Sequence, residues 1–296
     1  MKPAGKGRPT EGADPPVSDD AGGARRATRH TVRDPAVAGL FYPASPDRLR
    51  AMIRDALAAA TWDSPRQGPP RPVPKAIIGP HAGYLYSGPV AASAYARVAP
   101  GRGTIEKVVL IGPAHRVALD TVAASSADTF ATPLGELTVD GDGRRAVLSC
   151  PGVVVNDHAH AGEHSLEVHL PFIQVVLGDV LVLPLVVGEV PAQEVADALE
   201  AVWGGAETLV VACTDLSHYH DHATASVLDA ETAATIVACR PREVGPDRAC
   251  GVFAVRGLLT AARRHHLAVE KVDLRSSGDT AGNRDRVVGY GAFVLA

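Results

Sequence analysis

Three short apolar runs, each leading to a histidine, constrain this chain more than any other feature. Lys75 to Ser87 reads KAIIGPHAGYLYS, Lys107 to His115 reads KVVLIGPAH, and Thr208 to His218 reads TLVVACTDLSH. Short β-branched runs bounded by turn residues form buried strands. If the three strands are parallel neighbours, their carboxyl ends share one edge of the sheet, where open α/β sheets bind ligands. His81, His115, Asp215 and His218 then come within reach of one site. A Gly-Pro precedes both His81 and His115. Glycine permits close backbone approach and proline stiffens the turn, and a metal ligand needs that rigidity.

The remaining pattern alternates helix and strand. Ser45-Pro46-Asp47 starts a helix with Leu49, Met52, Ile53 and Leu57 at helical spacing. Ser64 to Pro74 reads as a Pro-rich linker. Further helices are expected over Pro89 to Val98, Gly162 to Leu177, Pro191 to Trp203, Ala223 to Cys239 and Val252 to Arg264. Asp120 to Asp140 reads as strands in a meander. Val180 to Val187 reads as a strand with Pro184 at an edge or bulge. Val269 to Leu274 and Val287 to Leu295 are the last strands. This predicts a three-layer α/β/α fold with a central mixed sheet. Residues 1–31 are rich in Gly, Pro, Asp and Arg and poor in large apolar residues, which predicts a disordered tail. Residues 32–296 are expected to form one domain.

Bulk properties exclude several classes. The formal net charge is -4, where a duplex-binding surface needs a basic excess. No apolar run reaches the ~18 residues of a membrane span, and the N-terminus lacks the apolar core of a signal peptide, so the cytoplasm is the expected compartment. The four cysteines are dispersed with no C-x-x-C pair, which fits neither a zinc ribbon nor a disulfide framework.

Cys250 stands at an expected helix start, where the helix dipole favours thiolate. Cys150, Cys213 and Cys239 read as small buried residues. His218 is placed to act as a general acid/base, and Asp215 to orient a histidine or support a metal. Ser217 beside His218 does not make a hydrolase triad, because triads converge from separate elements and no G-x-S-x-G elbow is present. In EHSLEVH, Glu163 to His169, an expected helix puts His164 and Glu167 on one face, as pocket-lining groups.

Ten stretches, in order, resemble the Memo-like family, whose prokaryotic members are called AmmeMemoRadiSam system protein B. They are VAGLFYP, IIGPHAGYLYSGPVAASAY, VVLIGPAHR, TPLGEL-VD, EHSLEVHLPF, LVLPLVVG, TDLSHY, ACG, SSGD and VVGYGAF. The family resembles class III extradiol (LigB-type) dioxygenases in fold. The resemblance implies a metal site of His81, His115 and Cys250, with cysteine in place of the extradiol carboxylate. Asp215 and His218 match residues beside that site, and Tyr84 and Arg116 complete the expected pocket lining. Iron(II) is the implied metal, ahead of copper, with zinc behind both. The implied function is a metal-dependent redox enzyme; the alternative is a module that binds a phosphopeptide or small anionic ligand. A radical-SAM protein is the implied partner. Family members usually carry two consecutive histidines after Gly-Pro-Ser. Here the stretch is Gly-Pro-Ala-His-Arg, so Arg116 replaces an imidazole with a fixed positive charge.

Overall fold

The computed structural model describes residues 30–60 and 72–296. The expected tail, save its last two residues, and most of the expected linker lie outside the described residues. Strands are β1 (Val32–Arg33), β2 (Ala76–Gly79), β3 (Lys107–Pro113), β4 (Val122–Ala124), β5 (Thr129–Thr132), β6 (Gly135–Thr138), β7 (Val153–Val155), β8 (Leu181–Val187), β9 (Thr208–Cys213), β10 (His218–His220), β11 (Val269–Ser276) and β12 (Val287–Leu295). Helices are α1 (Pro46–Ala59), α2 (Tyr84–Val98), α3 (Gly141–Val147), α4 (Asp157–Ala161), α5 (Leu170–Val176), α6 (Ala192–Glu200), α7 (His222–Val237), α8 (Val252–Arg264) and α9 (Ser277–Thr280).

Nine strands form a mixed sheet in the order β10-β12-β2-β9-β3-β8-β4-β7, with β11 also paired to β12. β2, β9, β3 and β8 are mutually parallel, while β12 and β4 run antiparallel to their neighbours β2 and β8. Side chains alternate between the faces of a strand, and the two apolar cores follow that alternation. Ile77, Val108, Leu110 and Val211 pack on one face with Leu49 and Ile53 of α1, Val90 of α2 and Phe172 of α5. Ile78, Val109, Ile111 and Val210 pack on the other with Val195 of α6, Ile236 of α7 and Leu258 of α8. A sheet buried on both faces requires the continuous apolar runs seen in β3, β8 and β9. The result is a large mixed sheet with helices on both sides, as expected.

Several local expectations change. The meander splits: β4 joins the main sheet, whereas β5 and β6 form a separate small sheet with β1. The helix expected from Pro89 begins at Tyr84, because Gly83 serves as its N-cap and the Tyr84 N–H donates to Phe41 O at 2.7 Å. Pro184 stands in an inner strand, opposite Leu110, and not at an edge. Val182 O accepts from Asp140 N on the flank away from β3. Alternate residues face the same flank, so the Pro184 nitrogen points there too. β4 ends at Ala124, opposite Leu185, and the missing N–H therefore interrupts no ladder. The helix expected over Gly162 to Leu177 is broken into a loop, a 3-10 turn at Glu167–His169, and α5. Pro171 sits in the first turn of α5, where its absent N–H costs nothing.

Candidate metal centre

β9 lies between β2 and β3, and the three are parallel. His81, Asp215 and His115 each stand two residues past the end of their strand, at one edge of the sheet. Cys250 arrives from the turn before α8. Its approach depends on Gly251, where a Cβ would lie 2.3 Å from Cys213 O and 2.8 Å from Thr214 Cβ. Gly112 plays the same part under His115: a Cβ there would lie 2.1 Å from Cys213 Sγ.

One potential ligand atom from each of His81, His115 and Cys250 lies within 4.8 Å of the others, and the same holds for Asp215, His218 and Cys250. The backbone ties these groups together. His81 N–H donates to Asp215 Oδ1 at 2.9 Å, and Asp215 N–H donates to Cys250 Sγ at 3.2 Å. His81 Nε2 is itself 3.2 Å from Cys250 Sγ. Asp215 thus holds the backbone of His81 and the sulfur of Cys250, rather than orienting an imidazole through its carboxylate. His218 Nδ1 bonds Leu216 O at 2.8 Å, and its Nε2 has no hydrogen bond among the described residues.

Burial sets the charge state. It drives the His81 imidazole well below its ordinary pKa, with His115 and His164 adding to the effect. Burial also lowers His218 and brings His164 down to about 4. The Asp215 carboxyl is raised by burial to about 7. The Cys250 thiol is pushed up to about 12, by burial first and by Asp215 second. The expected lowering of Cys250 by a helix start is therefore reversed: desolvation outweighs the dipole and the N–H···S bonds. Two imidazoles and a thiol facing one another are a donor set that a cation can take up by displacing the thiol proton.

Glu163 supports a candidate ligand that the helical spacing of its segment does not reveal. It is buried and accepts four hydrogen bonds, from His115 N (2.6 Å), His115 Nδ1 (2.9 Å), His164 N (2.9 Å) and Ser165 N (2.8 Å). Burial alone would raise its pKa, but these bonds hold it down to about 2. With Nδ1–H committed to Glu163, His115 presents Nε2 to the cleft. His164 stacks on His115 with ring centres 4.6 Å apart, and its other neighbour is the tilted ring of Phe41 at the same distance, which places it beside the candidate donors. Arg116 is exposed beside it.

Glu167 and Tyr84 lie elsewhere. Without the expected helix, Glu167 turns away from His164 and pairs with Arg33, and it accepts from Ala36 N, Val37 N and the Tyr42 hydroxyl. Tyr84 is a core residue whose hydroxyl donates to Val168 O at 2.6 Å and whose ring packs on Tyr42 and Phe172. The signal for Glu163 was available in one respect: it opens the same EHSLEVH stretch, but only the loop conformation turns it toward His115. Among the described residues, no helix is long and apolar enough to cross a membrane.

A family profile described as Memo-like protein matches residues 33–294. A MEMO1 family protein of Methanopyrus kandleri is 36% identical over 283 residues, covering 89% of this chain and 98% of that protein. MEMO1 family proteins of Thermotoga petrophila and Aquifex aeolicus are 35% and 34% identical, covering 89% and 88% of this chain and 99% and 97% of their own length. A crystal structure of an uncharacterized protein from Escherichia coli K12 aligns with TM-score 0.48 and 12% identity, over 74% of this chain and 98% of that one. The chain belongs to the Memo-like protein family.

Proposed function

We propose that the cleft is a metal-dependent redox centre of dioxygenase-like type, held by His81, His115 and Cys250. The observation that carries this reading is the convergence of their ligand atoms within 4.8 Å at the carboxyl edge of parallel strands. Two imidazoles and a thiolate suit iron, copper or zinc over magnesium or calcium. The resemblance to extradiol enzymes puts iron(II) first and copper second. A metal so bound supplies Lewis-acid and electron-transfer chemistry at the positions the three donors leave open. Around it, Glu163 fixes the His115 tautomer, Asp215 holds His81 and Cys250 in register, and His218 Nε2 is the group that takes or gives a proton. Anaerobic purification with metal quantification tests the reading. The wild type is expected to carry iron or copper, and His81→Ala combined with Cys250→Ser to lose it. Full occupancy in that double variant would sink the proposal.

A second reading, a non-catalytic module that holds a phosphopeptide or small anionic ligand in the same cleft, rests on Arg116, which is exposed at its mouth. Metal-free protein that binds an anionic peptide, with affinity lost in Arg116→Ala, would favour it. Partnership with a radical-SAM protein rests on the family resemblance, and co-purification under anaerobic conditions tests it.

A further inference from the structure

A second cleft, of about 1100 Å³, opens between the Glu189–Gln193 turn, the Arg240–Glu243 segment and one side of α8. None of the candidate metal donors lines it. Five arginines do: Arg240, Arg242, Arg256, Arg263 and Arg264. The only acids in its lining are Glu189 and Glu243, so the cleft is strongly cationic in a chain whose formal net charge is -4.

The arginines are not equivalent. Arg240 is paired with Glu243, and Arg264 with Asp197 and Glu200. Arg256 is pinned through Nε and Nη2 to Val244 O, with no carboxylate partner among the described residues. Arg242 and Arg263 have no ion pair among the described residues. Three guanidinium groups of the lining therefore have no ion pair among the described residues, one of them held in place by the backbone, against a single unpaired carboxylate, Glu189. Unpaired like charges gathered on one concave surface repel each other and raise the local concentration of anions. Guanidinium forks match phosphate oxygens in geometry as well as charge. Beside them Phe253 offers a half-buried ring with the Arg256 guanidinium 6.0 Å from its centre, and Pro191 and Pro241 extend the apolar wall.

We propose that this cleft binds a small organic phosphate: a multiply charged phosphate group on Arg242, Arg256 and Arg263, and an apolar or planar body against Phe253. The volume suits a ligand of nucleotide size. The test is calorimetric titration of the full chain with ATP and, separately, with inorganic tripolyphosphate, at low and high salt. Both probes are expected to bind, ATP more tightly, with affinity falling as salt rises. Arg242→Ala combined with Arg263→Ala is expected to weaken binding at least about tenfold, since it removes two of the three charge-assisted contacts to the phosphate. Its metal content is expected to be unchanged, which separates failure here from failure of the metal reading. Arg116→Ala, at the metal cleft, is expected to leave ATP binding intact. The proposal is overturned if the wild type binds neither probe, if the double arginine variant binds as well as wild type, or if Arg116→Ala abolishes binding. Equal affinity for the two probes would overturn the assignment of Phe253 to the ligand's body.

Discussion

Glu163 concentrates the residue-scale chemistry of the candidate centre. Its four hydrogen bonds tie His115, His164 and Ser165 to one buried carboxylate. Glu163→Gln keeps the shape but removes the charge that holds His115 Nδ1–H. Metal affinity is expected to fall about 10–100-fold, as for other groups that orient a metal-bound histidine; equilibrium dialysis with iron(II) or copper checks this, with circular dichroism to confirm that the fold is kept. The same carboxyl has a pH signature. Its pKa falls from the ordinary 4.5 to about 2 on folding. A depressed folded pKa means that its stabilisation is complete above about pH 4.5 and is lost as pH falls toward 2. Wild-type urea stability should drop through that window, and Glu163→Gln should flatten the drop. The thiol of Cys250, pushed up to about 12, must lose its proton to ligate a metal. Metal affinity should therefore rise with pH, with release of protons measurable in weakly buffered solution.

At the scale of elements, close packing at the strand ends decides whether the donors meet. Gly112 and Gly251 matter through space rather than through turn conformation, since both face Cys213 or its carbonyl. Gly112→Ala is expected to cost about 1–3 kcal/mol as an overpacked core. Cys213→Ala should restore part of that loss, because the clashing atom is Cys213 Sγ at 2.1 Å. A double-mutant cycle by urea denaturation reads this coupling, and strict additivity would show that the strain is relieved elsewhere. The strands β2, β3 and β9 were legible in the sequence because burial on both faces demands continuous apolar runs. The EHSLEVH segment was not. Its Leu166, Leu170 and Ile173 repeat at helical spacing, yet Glu163 and Glu167 gain more from bonding opposite parts of the fold than from sharing a helix. Propensity is a weak prior, and tertiary contacts override it.

For the whole molecule, the Arg33–Glu167 pair joins the start of the described chain to the segment that carries Glu163 and His164. Both side chains are buried, and Arg33 also donates to the carbonyls of His160 and Glu163. Arg33→Ala leaves the buried Glu167 side chain without its ion-pair partner, so a loss of about 3–5 kcal/mol is expected, read as a fall in urea midpoint. What the sequence by itself determined was the layered architecture and the strand-end position of three residues of the candidate site. Apolar runs ending in Gly-Pro-His, Gly-Pro-Ala-His or Thr-Asp place His81, His115 and Asp215 past strand ends, because a buried strand can only stop where its backbone turns. The resemblance brought in Cys250. Only the tertiary structure decided which acid serves the site, Glu163 over Glu167, and that Tyr84 belongs to the core. It also reversed the expected acidity of Cys250. These outcomes rest on desolvation and on hydrogen bonds between segments far apart in the chain, and neither quantity exists until the chain has closed around them.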